Sequence, residues 1–264
     1  MAAQKPTPVP GAPRPPVWGR MRTGGRGPQP SLSLDAIVGS AVALADAEGV
    51  EAVSMRRIAA ELGVGTMSLY RYVETKDDLL DLMTDQVMGG GGGLGDPLTD
   101  DWRADLRGIA HGYRRLMLTH PWVLPISASR PPLGPNVLRR TERLLGVLDG
   151  QGLSIDEMSR LTGTLIAWVR GVVLTEIAEA EAARHTGQTE DEYRGVVGPY
   201  LMTVLAEGEH PLLARFVAEA DDRPDPDEGF AWGLELILDG VEVAFERMRA
   251  QDRAAEPGLR AHGS

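Results

Sequence analysis

The chain has 264 residues, with 27 Lys and Arg against 38 Asp and Glu, and its formal net charge is −11 at pH 7. This length predicts one or two domains, and the lack of cysteine excludes a disulfide framework, a thiolate zinc site and a cysteine nucleophile. No apolar run approaches the ~18 residues of a membrane-spanning helix, and the N-terminus lacks the apolar core of a secretory signal. We therefore expect a cytoplasmic protein without a membrane partner. The acidic balance argues against nucleic acid as a partner unless positive charge is concentrated locally.

The basic residues are concentrated at the N-terminus. Residues 1–30 contain five bases and no acid, together with eight prolines and five glycines. Residues 31–88 hold four bases against ten acids, and residues 89–264 hold 18 bases against 28 acids. Because the arm has few large apolar side chains to bury, its composition predicts a disordered basic segment. Such an arm either contacts DNA phosphates or the minor groove, or is an inert leader, and the sequence leaves both alternatives open.

Apolar residues recur with a helical period from Leu34 onward, without strand-like alternation or an internal repeat, so we predict an all-α protein. The N-terminal helices are expected over residues 34–48, 55–62, 66–72 and 75–88. After a break at the glycine run 89–93, helices are expected over residues 99–119, 134–149, 154–184, 189–207 and 229–250, with a solvated loop at 221–228. Capping boxes are predicted at Thr75, Ser154 and Thr189.

The segment SMRRIAAELGVGTMSLYRYVETK has the spacing of a helix-turn-helix. Ala59 provides the small residue where two short helices cross, Gly63 can adopt a positive φ in the turn, and Leu69 is spaced to plug the contact. The other side chains of the second helix then face outward, where Ser, Thr and Arg can read base edges and Tyr can bond phosphate. Arg56 can reach a base or a phosphate, and Lys76, in the first turn of the fourth helix, is a candidate phosphate contact. The alternative is a short helix pair inside an ordinary bundle.

Four blocks in residues 34–88 resemble the DNA-binding domain of the TetR (tetracycline repressor) family. In order they are Glu48-Gly49-Val50 at the end of the lead helix, MRRIAAELGV, SLYRYV and TKDDLLDLM. The resemblance implies a homodimeric repressor that binds double-stranded operator DNA through a recognition helix at residues 66–72. The DNA contacts that it implies are Arg56, Thr66, Met67, Ser68, Tyr70, Tyr72 and Lys76, with Arg71 at a variable position.

Two long C-terminal helices each have one apolar face. The helix from Ser154 places Gly163, Ala167 and Gly171 where another helix could approach closely, and the last helix carries an acidic stripe opposite its apolar face. Such helices are typical of a four-helix bundle formed with a second subunit, and the alternative is the ordinary core of a monomer. The predicted dimer-interface residues are Leu165, Val169, Val172, Leu234, Ile237, Leu238, Val241 and Phe245.

The segment from Trp102 to Pro131 resembles the C-terminal domain of the tetracycline-repressor type, where the corresponding stretch borders an effector cavity. This position assigns Tyr113, Ser129 and Arg130 to the pocket, and Trp122, Trp168 and Trp232 could wall it or could be plain core. The chain has Ile126 and Ala167 where that type has histidines for a metal–drug chelate, so we do not expect a tetracycline–magnesium effector. The five histidines show no metal-binding spacing, and no metal or cofactor is predicted.

These features predict a DNA-binding transcriptional regulator that an unknown small molecule releases from its operator. The expected domains are a disordered arm (1–30), a three-helix helix-turn-helix domain (31–88), a helical ligand-binding and dimerisation domain (96–250) and a disordered tail (251–264). A transcriptional activator of the same fold is an alternative. A helical-bundle enzyme is a further alternative, but the sequence contains no nucleophile, acid–base or phosphate-binding constellation, so we expect no catalysis.

Overall fold

The structure is a computed structural model that describes residues 16–20, 32–90, 97–127, 133–187, 190–220 and 225–255. Within these ranges the chain is helical and contains no strand, so the predicted all-α class is confirmed. The helices are α1 (Val17–Arg20), α2 (Leu34–Glu48), α3 (Met55–Glu61), α4 (Thr66–Leu69), α5 (Lys76–Gly90), α6 (Trp102–Thr119), α7 (Val123–Ser127), α8 (Pro135–Leu148), α9 (Ile155–Thr186), α10 (Glu190–Leu205), α11 (Pro211–Glu219) and α12 (Pro226–Ala255), with a 3₁₀ turn at Val50–Ala52.

Contacts group the helices into two compact units. The N-terminal unit comprises Met1–Leu94 and Thr119–Glu142, and the second unit comprises Gly95–Leu118 and Arg143–Ser264. The predicted division placed residues 119–142 with the ligand domain, whereas they group with the N-terminal unit. The reason is α5, since α7 packs on it and the Asp85 carboxylate accepts hydrogen bonds from the backbone N–H groups of Asn136 and Val137, both at 3.0 Å.

The helix α5 continues to Gly90, two residues beyond its predicted end. Gly89 lies so close to the Asn136 side chain that a Cβ atom would overlap it. The Arg140 Nε donates a 2.6 Å hydrogen bond to the carbonyl oxygen of Met88, which is one of the carbonyls left without an intrahelical partner at a helix end. Tertiary contacts therefore hold in a helix the first two glycines of a run that local propensity alone would break.

One short part of the predicted disordered arm is helical. In α1, Val17 is buried and Arg20 forms ion pairs with Glu74 and Asp78. The prediction of disorder is wrong for residues 16–20, because the average composition of the arm hides one small group of side chains that can pack. The rest of the arm lies outside the described residues.

The last helix is longer than predicted in both directions. It begins at Pro226, inside the predicted loop 221–228, and it ends at Ala255, inside the predicted disordered tail 251–264. Proline is well suited to the first turn of a helix, and acidic residues there interact favourably with the helix dipole. Two further helices, α7 and α11, were not predicted at all.

The second unit is built on α6, α9 and α12. Leu106, Leu165 and Leu238, one from each helix, are buried in its core. The predicted acidic stripe of α12 binds α6 through one arginine. Glu235, Asp239 and Glu242 all form ion pairs with Arg103 of α6. The capping box at Ser154 is confirmed by hydrogen bonds in both directions, and the one predicted at Thr189 lies outside the described residues.

Candidate nucleic-acid interface

The helix-turn-helix is formed by α3 and α4. Gly63 has a φ of 65°, and the N–H of Val64 donates a 2.9 Å hydrogen bond to the carbonyl of Ala59, which turns the chain sharply after α3. Ala59 and Leu69 are both buried where the two helices meet. The predicted roles of these two residues and of Gly63 are therefore confirmed. The helix α4 ends at Leu69, three residues before the predicted end, and Tyr70 caps it.

The surface around α4 presents both apolar and cationic side chains. Met67 is 77% exposed and Tyr70 is 44% exposed. Arg56, Arg71 and Lys76 are also exposed, and none of them forms an ion pair with a residue that the structure describes. The predicted contacts Thr66 and Ser68 lie half-buried on the same short helix. This arrangement can offer cations to phosphates and hydroxyl groups to bases.

Two neighbouring arginines of α3 make different interactions. Arg57 donates two 2.6 Å hydrogen bonds to the Glu48 carboxylate at the end of α2, and these bonds lower the pKa of Glu48. Arg56 is exposed and makes no such pair with the described residues. The assignment of Arg56 rather than Arg57 as a DNA contact is therefore consistent with the geometry.

Tyr72 has a structural bond that the sequence did not reveal. Its hydroxyl donates a 2.7 Å hydrogen bond to the carbonyl oxygen of Leu32, just before α2. Phosphate oxygens only accept hydrogen bonds, so the Tyr72 hydroxyl cannot donate its proton to a phosphate while this bond exists. In the absence of DNA, this bond ties Tyr72 to the chain before α2, and its predicted contact with DNA stays a prediction.

The predicted dimer interface is wrong for most of its residues. Leu165, Val169, Leu234, Leu238, Val241 and Phe245 are buried within one chain, and only Val172 and Ile237 keep intermediate exposure. A side chain that is already buried has no surface to contribute to a partner. The apolar periodicity correctly marked a buried face, but that face packs inside the unit.

A different face of the same two helices is open. On α12, Trp232 is 71% exposed and Leu236 is 53% exposed, with Val243 further along the helix. On α9, the small residues Gly163, Ala167 and Gly171 are exposed, followed by Leu174. We call these residues of α9 and α12 the open apolar face. By length and composition α9 could also cross a membrane, with a mean hydropathy of 1.4 in its most apolar window.

The predicted pocket residues fall into different units. Tyr113 and Trp168 belong to the second unit, where the rings of Trp168 and Phe230 are 5.0 Å apart. Trp122 belongs to the N-terminal unit, where it is buried and its Nε1 donates a 2.7 Å hydrogen bond to Asp46. This bond makes Trp122 a structural residue rather than a pocket wall. Ser129 and Arg130 lie outside the described residues.

Sequence reasoning missed a polar cluster beside Trp168. Arg114 is buried, and it donates hydrogen bonds to Glu176 at 3.0 Å and to Asp227 at 2.6 Å while its guanidinium lies 4.8 Å from the Phe230 ring centre. His111 packs edge-on against the same ring, and its pKa is lowered by burial and by the charge of Arg114. These partners are 62 and 113 residues from Arg114 in sequence, so no local pattern could reveal them.

A separate apolar crevice lies among α6, α9 and α12. Leu106, Leu161 and Ile237 are among its lining residues, and none of the predicted pocket residues is. It has no room for a water molecule, so it is packed core. Among the described residues there is no group of three or more side chains that could hold a metal ion.

The sequence matches two family descriptions in succession: "Bacterial regulatory proteins, tetR family" over residues 37–83 and "Tetracyclin repressor-like, C-terminal domain" over residues 94–245. The first covers the helix-turn-helix and the start of α5, and the second covers most of the remaining helices. The chain therefore belongs to the TetR family of DNA-binding transcriptional regulators.

Individual relatives agree with this assignment. The HTH-type transcriptional repressor DrrR1 of Streptomyces coeruleorubidus is 41% identical over 89% of this chain and 86% of its own length. Apo ActR of Streptomyces coelicolor has a TM-score of 0.69 at 29% identity, covering 83% of this chain and 99% of ActR. ActR in complex with actinorhodin has a TM-score of 0.66 at 31% identity, covering 81% of this chain and 98% of ActR.

Proposed function

We propose that this protein is a homodimeric, cytoplasmic repressor that binds double-stranded operator DNA and is released by a small-molecule effector. The observation that carries the proposal is the surface around α4, where Met67 and Tyr70 are exposed beside three cations that pair with none of the described residues, namely Arg56, Arg71 and Lys76. The name of the relative DrrR1 favours repression over activation. In our proposal α4 enters the major groove, Thr66 and Ser68 bond to base edges, and the cations contact phosphates.

The open apolar face supports the homodimer. Monomeric proteins rarely leave large apolar side chains such as Trp232 and Leu236 exposed together on one helix. The exposed glycines and alanine of α9 would let a second copy of α9 approach closely, and two-fold symmetry would complete a four-helix bundle. A dimer supplies the two reading heads that a two-half-site operator requires.

The effector is proposed to contact the second unit near Tyr113, Trp168 and Arg114. ActR, which has the same fold, has been solved with actinorhodin bound. The aromatic rings of Trp168 and Phe230 suit a planar aromatic molecule. Burial and the charge of Arg114 lower the pKa of His111, which favours the neutral imidazole, and a neutral imidazole can accept a hydrogen bond.

The test uses a fluorescent duplex from the region upstream of this protein's own gene. Wild-type protein should raise its anisotropy with an affinity that falls steeply with salt, and Tyr70→Ala should weaken binding without unfolding the protein. Added actinorhodin should release the DNA. Absence of wild-type binding to this duplex and to the duplexes of neighbouring genes would contradict the proposal.

A matched pair of variants tests the effector position. Trp168 and Trp102 each pack against a phenylalanine of α12, at centroid distances of 5.0 Å and 4.9 Å. Trp168→Phe should raise the actinorhodin concentration needed to release DNA, whereas Trp102→Phe should leave it unchanged. Equal effects of the two variants would argue against the proposed position.

A further inference from the structure

The helix α1 packs on the N-terminal unit through apolar and ionic contacts. Val17 is buried and Trp18 is half-buried. A Cβ atom on Gly134 would lie 2.6 Å from the Trp18 ring, so only glycine at that position leaves room for the indole. The helix also contacts α5. This short helix is therefore docked on the same unit that carries α4.

Arg20, at the end of α1, joins two acids that flank a predicted DNA contact. Its Nη1 lies 3.0 Å from the Glu74 carboxylate, and its Nη2 pairs with Asp78. Glu74 precedes Lys76 by two residues, and Asp78 follows it by two. The Arg20 and Asp78 side chains are largely buried, with 20% and 9% exposure, whereas Glu74 is 60% exposed.

We propose that α1 is part of the DNA-binding surface and that Arg20 raises operator affinity by neutralising Glu74 and Asp78. Residues 31–88 hold ten acids against four bases, so carboxylates close to the phosphates would repel DNA. Such repulsion acts over about one Debye length, ~8 Å at physiological salt, which makes the acids nearest to Lys76 the important ones. Arg20 supplies from outside the helix-turn-helix a positive charge that this domain lacks. The inference rests on the proposed function, since it concerns the affinity for operator DNA.

The test is a double-mutant cycle with Arg20→Gln and Glu74→Gln, measured by anisotropy with the same upstream duplex. Arg20→Gln alone should weaken binding about 3- to 10-fold near 0.1 M salt, and the loss should shrink as salt rises. In the Glu74→Gln background the loss should be clearly smaller, because one of the neutralised acids is gone. An equal loss in both backgrounds would overturn the inference and indicate instead that Arg20 touches DNA directly.

The control is Arg215→Gln, which removes the same charge from an exposed pair with Glu219 in the second unit. It should leave DNA affinity unchanged. Thermal unfolding of each variant checks that the fold is intact, and hydrogen exchange over residues 16–20 checks whether α1 remains docked. If wild-type protein does not bind the duplex, the proposed function fails. If wild-type protein binds and Arg20→Gln binds equally well, only this inference fails.

Discussion

The surface around α4 and the open apolar face differ in the kind of side chain that they expose to solvent. Around α4, three cations have no ion-pair partner among the described residues. In the second unit, Arg103, Arg107 and Arg114 all bind carboxylates of their own chain, and the exposed feature there is apolar. The surface around α4 thus combines exposed cations with exposed apolar side chains, whereas these three arginines of the second unit are bound to carboxylates of their own chain. This difference is the basis of our proposal that DNA binds the first unit and that a second copy of the chain binds the second.

The largest expected effect comes from placing a charge on the open apolar face. Trp232→Asp should convert the dimer to monomers, because two-fold symmetry places the change twice in one interface. A buried tryptophan anchor commonly contributes at least ~2 kcal/mol, so the dimer should lose about 4 kcal/mol or more. Sedimentation equilibrium measures the loss, and operator binding should fall with it.

Leu138→Asp is the matched control, since Leu138 is also an exposed apolar residue, at 52%, but lies on α8. The open apolar face predicts that this variant remains dimeric. A Trp232→Asp protein that sediments as a dimer would exclude the open apolar face as the interface.

The next effect tests the hydrogen bonds that join α5 to the start of α8 in the N-terminal unit. Asp85 is buried and accepts hydrogen bonds from the backbone of Asn136 and Val137 and from the Asn136 side chain. Asp85→Ala would leave these donors without their acceptor and should lower the free energy of unfolding by about 3 kcal/mol. Urea unfolding measures this change.

Asp81, one turn earlier on α5, provides the contrast. Its pKa is raised by burial and by the neighbouring charges of Asp78 and Asp77, so its charged form is disfavoured in the folded protein. Asp81→Ala should therefore be neutral or slightly stabilising. If both variants lowered stability equally, the bonds of Asp85 to α8 would not be the cause.

A smaller effect is expected from removing one of the cations around α4. Arg56→Gln should weaken operator binding by about 1–2 kcal/mol, roughly 5- to 30-fold, and reduce the salt slope by about one phosphate contact. Arg57→Gln removes the same charge from the adjacent residue but also breaks the ion pair with Glu48. It should therefore lower the stability of the fold more than it changes the salt slope of DNA binding. Anisotropy titrations over a range of salt separate the two, and identical slopes would contradict the assignment.

The sequence predicted the helix-turn-helix well because its determinants are close together. Ala59, Gly63 and Leu69 lie within eleven residues and act through contacts between adjacent short helices. The dimer face could not be predicted in the same way, because apolar periodicity shows which face of a helix is buried but not what buries it. The contacts of Arg20 span 54 and 58 residues, and no local pattern encodes such pairing.

The smallest expected effect concerns the ion pairs that occupy the arginines of the second unit. Hydrogen bonds from Arg107 and Arg103 lower the pKa of Glu235 from 4.5 to about 2. A lowered pKa means that the pair stabilises the folded state above about pH 4.5 and that this contribution is lost as pH falls towards 2. Because Glu235 is 40% exposed, salt and water screen the pair, and the loss should be below about 1 kcal/mol.

Glu235→Gln should therefore flatten the dependence of unfolding free energy on pH between about 4.5 and 2, measured by urea titrations at each pH. Glu246→Gln is the control, because Glu246 lies one turn after Glu242 on α12 but has no ion-pair partner among the described residues. If both variants kept the wild-type slope, the arginines of α6 would not be bound as tightly as the geometry indicates. Their charge would then be partly available to an external anion, and the contrast between the two units would be one of degree.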